Sequence, residues 1–205
     1  MQLTVDYVTI ERGGRLVIDS LSFRAKAGVA LVITGPNGIG KSTLLRAIAG
    51  LVHVASGTLR LDGGEPERTL PESCHYFGHL DGLKSALSVQ ENVAFWQAFY
   101  GATAGQASVL DALNQVSLDH LADLPAAYLS AGQRRRLSLA RLLVSHRPVW
   151  LLDEPTSALD AASEARLVDL VNAHLAQGGL VIAATHAPLA FHTLETLDLS
   201  NRVSA

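Results

Sequence analysis

The stretch Gly35-Pro36-Asn37-Gly38-Ile39-Gly40-Lys41-Ser42, followed by Thr43, fits the spacing G-x-x-x-x-G-K-[ST]. Gly35, Gly38 and Gly40 let backbone N–H groups turn inward around an anion, Lys41 adds a point positive charge, and Ser42 offers a hydroxyl to Mg²⁺. That combination is chemistry for the β- and γ-phosphates of a nucleotide. Its context matches the demand of the pattern: the apolar run 29–34 comes directly before it and the helix-like run 42–50 directly after.

Two acids close a second apolar run, Val149–Asp153. Asp153 is placed to hold hydrated Mg²⁺ opposite Lys41, and Glu154, one residue farther out, to polarise an attacking water. His186 closes a third run, 180–185. A single histidine among eight is more often structural, but one at the end of a buried strand, on the edge where phosphates lie, is assigned to the γ-phosphate. A second anion-binding geometry stands at 128–141, where Ser130 and the N–H groups near Gly132 open the helix-like run Gln133–Leu143. On that helix Leu137, Ala140 and Val144 are expected to face the core. Arg134, Ser138 and Arg141 form the opposite polar stripe, and the arginine triplet 134–136 reads as a solvated face.

The elements that must position these groups follow from alternation. The runs 3–10, 16–23 and 57–63 are short, alternating or β-branched, and bounded by glycines, which predicts an antiparallel sheet at the N-terminal end. The runs 29–34, 149–153 and 180–185 are continuously apolar, as for parallel strands covered on both faces, and ligands bind at the carboxyl ends of such strands. Residues 88–145 change to helical periods, with Ser88 as the N-cap of 89–100 and a second helix over 105–118. The reading is one domain over 1–205, with a nucleotide-binding core and antiparallel β subdomain at 1–79 and 146–205 and a helical insertion at 80–145.

Composition narrows the function. With 205 residues, 48% of them apolar, the chain can bury one substantial core. A net charge of −3 argues against nucleic acid as a partner, because such binding rests on Lys and Arg neutralising phosphates. Cys74 is the single cysteine and cannot form an internal disulfide, and the N-terminal residues lack the basic and apolar segments of a signal peptide, so a reducing cytoplasm is expected. The longest apolar runs are of strand length, so a membrane role must come through a partner.

Taken together, these stretches resemble the nucleotide-binding subunit of ATP-binding-cassette (ABC) transporters over essentially the whole chain. "GPNGIGKST" is similar to that family's Walker A, "LSAGQ" to its signature, "VWLLDE" to its Walker B, "SALD" to its D-loop and "ATH" to its H-loop, in the family's order. The resemblance implies an α/β fold of the ABC-type P-loop NTPases, with a mostly parallel core sheet, an N-terminal antiparallel β subdomain and a helical insertion. It implies ATP and Mg²⁺, hydrolysis coupled to transport, and a head-to-tail dimer in which Ser130, Gly132, Gln133 and Asp160 of one chain face the ATP held by the other. Two positions depart from the pattern. His79 stands where the family usually has a metal-sensing glutamine, and Arg12, whose guanidinium can stack on a base, stands near a usual adenine-stacking aromatic. Ala131 replaces a signature glycine, which function tolerates if its φ is negative.

The segment "GHLDGLKSALSVQENVAFW", with "LSAGQRRR" and "THAPL", resembles one branch, the ATP-binding subunit of the cytochrome c maturation transporter. That implies a peripheral protein on the cytoplasmic face of the bacterial inner membrane, bound to integral subunits and making no direct contact with haem. Two alternatives stand beside it. One is an ABC subunit exporting another cargo such as a lipid or drug. The other is a soluble ABC protein acting on DNA or the ribosome, against which count the short stretch between Lys41 and Asp153 and the lack of heptads.

Overall fold

The structure, a computed structural model, describes residues 1–101 and 107–201. In chain order its elements are β1 (Gln2–Arg12), β2 (Arg15–Lys26), β3 (Ala30–Thr34), α1 (Lys41–Ile48), β4 (Ser56–Asp62), β5 (Cys74–Phe77), α2 (Val89–Tyr100), α3 (Val109–Gln115), α4 (Ala131–Ala140), β6 (Val149–Asp153), α5 (Ala161–Ala176), β7 (Leu180–Ala184) and β8 (Leu194–Asp198). The chain divides into two compact units. The first comprises Met1–His79, Pro148–Pro155 and the chain from Leu170 on; the second comprises Leu80–Arg147 and Thr156–Asp169.

The first unit carries both sheets. An antiparallel sheet has the order β2-β1-β4, and a five-stranded parallel sheet the order β5-β6-β7-β3-β8. In β1 the buried apolar positions are Leu3 and Val5, then Val8 and Ile10. The inward phase thus moves from odd to even, which a strand of period two permits only by inserting a residue. Tyr7 is that residue, at φ 50° and exposed, and the β1–β2 register shifts there. β2 makes its own switch between Ile18 and Leu21, at Ser20 with φ 47°.

The predicted parallel strands β3, β6 and β7 are buried along nearly their whole lengths. Leu31, Ile33, Leu151 and Ile182 join Leu44, Leu45 and Ile48 of α1 and the inward residues of β1 in one core cluster. Each such side chain contributes about 1.5–3 kcal/mol relative to exposure. Two strands carry little sequence signal, and both lie at sheet edges. β5 has four residues, and β8 reads as polar, with Leu197 its one buried residue.

The second unit is helical. Ser88 caps α2 with a full box: its Oγ accepts from Glu91 N–H (3.2 Å) while Glu91 Oε2 accepts from Ser88 N–H (2.7 Å). The helix predicted over 105–118 spans Val109–Gln115, capped by Ser108; residues 105 and 106 lie outside the described residues. Helix α4 stops at Ala140, short of the predicted Leu143. Leu137, Ala140 and Val144 are buried as expected, but the polar stripe is not a solvent face, since Ser138 and Arg141 are buried as well. Arg141 lies 4.8 Å from the Trp96 ring centroid, and Ser138 Oγ donates to Arg135 O (2.9 Å). Burial lowers the pKa of Arg141, the carboxylate of Asp81 working the other way. Nor are the three arginines a fully solvated face, since Arg135 is buried and Arg134 and Arg136 are half-buried. Arg134 donates to Leu129 O (3.0 Å), Arg136 to Val116 O (3.1 Å), and Arg135, also buried, pairs with Asp81 (3.6 Å). Guanidinium groups that cap loop carbonyls within their own unit serve as internal ties. Among the described residues no helix is long and apolar enough to cross a membrane.

Candidate active site

The loop between β3 and α1 is built on positive φ values: Gly35 at 134°, Gly38 at 82° and Gly40 at 112°. Gly40 is also the N-cap of α1, and a Cβ there would lie 3.0 Å from Val17 Cγ1. No side chain caps α1. Beside it a cavity of ≈ 420 Å³ brings together Arg12 from the end of β1, Asn37, Lys41, Ser42 and Thr43 from the loop and helix, and Glu154 beyond β6. Lys41 Nζ donates to Gly35 O (2.7 Å) and Pro36 O (3.1 Å) and lies 2.9 Å from His186 Nε2. Ile39 supports the turn, with Cγ2 3.3 Å from where a Cβ on Gly35 would be. The same His186 nitrogen is 2.6 Å from Asn37 Oδ1 and 3.7 Å from Glu154 Oε1. A ring unprotonated at Nε2 accepts from Lys41, and one protonated there donates to Asn37. A single proton position serves only one of these contacts.

Strand periodicity aims the acid. In β6, Val149 and Leu151 face the core cluster and Asp153 falls on the same side, towards α1. Ser42 Oγ donates to Asp153 Oδ1 at 2.8 Å. The other carboxylate oxygen, Oδ2, accepts from the phenol of Tyr76 at 2.9 Å, and the phenol oxygen accepts from Arg46 Nε at 3.1 Å. Burial raises the Tyr76 pKa and the neighbouring Asp153 adds to it, with Arg46 pulling the other way, so the phenol keeps its proton and donates. The hydrogen bond to Tyr76 likewise raises the pKa of Arg46. Neither Tyr76 nor Arg46 was singled out from sequence. The available signal was the four-residue spacing of Ser42 and Arg46, which puts both on one face of α1. His79, the proposed metal contact, is exposed two residues beyond β5 and is not part of this network. Glu154 turns away from the strand at φ 46°, and its N–H donates to Ala184 O (2.8 Å).

In the second unit Ser130 caps α4. Its Oγ accepts from Gln133 N–H (3.2 Å) while Gln133 Oε1 accepts from Ser130 N–H (2.8 Å). Ala131 is exposed and helical, so its φ is negative. Gly132 is more confined, since a Cβ there would lie 3.4 Å from Ala158 O. Asp160 Oδ1 accepts from Ser163 N–H (2.8 Å) at the start of α5; hydrogen bonding from the Ser163 side chain first, and from this N–H second, lowers the Asp160 pKa.

The glycine loop with Lys41, the Ser42–Asp153 pair and Glu154 all fall within the stretch that one family model matches. That model, described as ABC transporter, matches residues 18–157. The chain belongs to the ABC transporter family. As an ABC transporter ATP-binding domain it binds ATP and is an ATPase. It is 56% identical over 189 residues to the "Cytochrome c biogenesis ATP-binding export protein CcmA" of Nitrobacter winogradskyi, covering 92% of this chain and 94% of that one. The fold is similar to that of an ABC transporter ATP-binding protein from Pyrococcus furiosus, with a TM-score of 0.84, 22% identity and full coverage of both chains. It is also similar to a dimeric ATP-binding cassette in a post-hydrolysis state bound to ADP and Pi, with a TM-score of 0.77, 25% identity and coverage of 90% of this chain and 88% of that one.

Proposed function

We propose that this ABC ATPase powers an export step of cytochrome c biogenesis, working as a head-to-tail pair on integral subunits at the cytoplasmic face of the bacterial inner membrane. The observation that carries the enzymatic part is the convergence of Lys41, the Ser42–Asp153 pair and Glu154 on one glycine loop. The near-full-length CcmA relatives support the export system. Integral subunits carry the cargo, and the ATPase does not touch haem.

The donor set fits Mg²⁺. A hydroxyl and a carboxylate 2.8 Å apart are hard oxygen ligands, and Mg²⁺ characteristically takes one or two protein oxygens, phosphate oxygens and water. When bound, Mg²⁺ neutralises charge on the β- and γ-phosphate oxygens. Lys41 exchanges its two loop carbonyls for phosphate oxygens, and the N–H groups of Gly38 and Gly40 and of the start of α1, through Thr43, hold the rest. Arg12 stacks on the base from the rim of the cavity. Glu154 accepts a hydrogen bond from the attacking water and draws its proton, while His186 orients a γ-phosphate oxygen. The partner copy closes the site with Ser130, Gly132, Gln133 and Asp160. Product release then separates the pair.

Glu154→Gln tests this reading. The variant is expected to bind ATP normally, accumulate ATP-bound dimer by analytical ultracentrifugation, and lose about 10²–10⁴-fold in turnover. Unchanged phosphate release would sink the catalytic assignment. Deletion of the gene should leave c-type cytochromes without haem, and normal haem attachment would separate this ATPase from that system.

A further inference from the structure

Sheet register and helix periodicity bring four side chains to one place. Tyr76 of β5 is paired with Leu151 of β6, so Asp153 lies diagonally two residues on and on the same sheet face. Ser42 and Arg46 are four residues apart on α1 and meet that face from the helix side. The resulting chain runs from Ser42 Oγ to Asp153 Oδ1 (2.8 Å), and from Arg46 Nε to the Tyr76 phenol (3.1 Å) and on to Asp153 Oδ2 (2.9 Å). Each carboxylate oxygen therefore has its own donor, and the carboxylate plane is set by two elements at once. Without the phenol, Asp153 Oδ2 loses this donor, and the last side-chain torsion, which is intrinsically broad, is less restrained.

We propose that Tyr76, anchored by Arg46, is a positioning residue that holds Asp153 in the orientation needed for the metal–nucleotide complex. The inference rests on the reading of Ser42 and Asp153 as the Mg²⁺ contacts. Partners that orient a ligating carboxylate typically govern metal affinity or activity by about 10–100-fold. The phenol fills this role from the buried side of the site, where its hydrogen-bonding order is fixed: it accepts from a guanidinium, which is donor-only, and so must donate to the carboxylate.

The test uses the full chain with Tyr76→Phe, Arg46→Lys and Asp153→Asn. Affinity for a non-hydrolysable ATP analogue is measured with Mn²⁺, read by electron paramagnetic resonance, and again with the metal chelated. Tyr76→Phe is expected to weaken Mn²⁺–nucleotide binding about tenfold while metal-free nucleotide affinity stays within about twofold. Arg46→Lys, which retains a donor to the phenol, is expected to fall between Tyr76→Phe and the unaltered protein, and it stands in if the phenylalanine variant does not fold. Unchanged Mn²⁺ affinity in Tyr76→Phe, or an equal loss with and without metal, would overturn the proposal. If Asp153→Asn lowers Mn²⁺ affinity and Tyr76→Phe does not, only the positioning role fails. Should Asp153→Asn also leave it unchanged, the metal reading fails first and takes the inference with it.

Discussion

Helix α1 starts on Gly40 at φ 112° with no side-chain cap, whereas α4 starts on Ser130 with both halves of a capping box in place. Both helix starts carry the positive end of a helix dipole. The first leaves its N–H donors to an outside anion and sets Lys41 beside them. The second has already used the Ser130 hydroxyl and the Gln133 amide on each other. At α4 the cap already occupies the N–H groups of Ser130 and Gln133, while the Ser130 hydroxyl, which only accepts in the cap, keeps its own proton to donate. The comparison fits the proposed division of labour, in which α1 would be the primary binding site of a single chain and α4 would contribute once two chains assemble.

The largest effect should come from breaking the α1 side. Lys41→Ala removes the cation that the loop carbonyls now hold, and turnover is expected to fall by about 100-fold or more, with nucleotide affinity reduced in a fluorescent-nucleotide titration. Wild-type affinity in that variant would mean α1 is not the primary site. The α4 side should respond differently. Ser130→Ala is expected to leave nucleotide affinity of an isolated chain within about twofold and to lower turnover of the assembled pair about tenfold, the worth of one hydrogen bond to a charged group. Mixing it with Lys41→Ala chains should restore part of the activity; no restoration at all would count against sites shared between chains.

The smallest effect concerns Asp160, whose carboxylate caps α5 through Ser163. Its folded pKa lies below the ordinary carboxyl value of about 3.9. Its contribution is therefore fully present above that value and is lost as pH falls through the lower folded one. Asp160→Ala should lower the melting temperature slightly at pH 7, and by less as pH falls below the ordinary carboxyl range. A drop in paired-chain turnover beyond what the change in melting temperature explains would support the proposed place of Asp160 at the partner's nucleotide; unchanged turnover would leave it a helix cap only.

Sequence spacing made much of this molecule legible. Continuous apolar runs marked β3, β6 and β7 because strands covered on both faces need apolar residues at every position. The glycine loop and the capping serines are local codes, readable within four to eight residues. What escaped was non-local. β5 and β8 take their conformation from a single neighbouring strand each, so their own residues need not advertise it. Tyr76 joins Asp153 through a strand register that only folding sets. The arginines of α4 misled for a related reason: a guanidinium that caps carbonyls at Leu129, Val116 and Ser117 looks, in sequence, like one that faces water.

The left-handed backbone at Glu154 has its own meaning. A non-glycine residue there costs the fold on the order of 1 kcal/mol, a cost glycine would avoid while losing the carboxylate. Robustness to heat and possession of the proposed base thus pull in opposite directions at one peptide unit, and a screen for thermal tolerance alone would tend to drift towards an inert protein there.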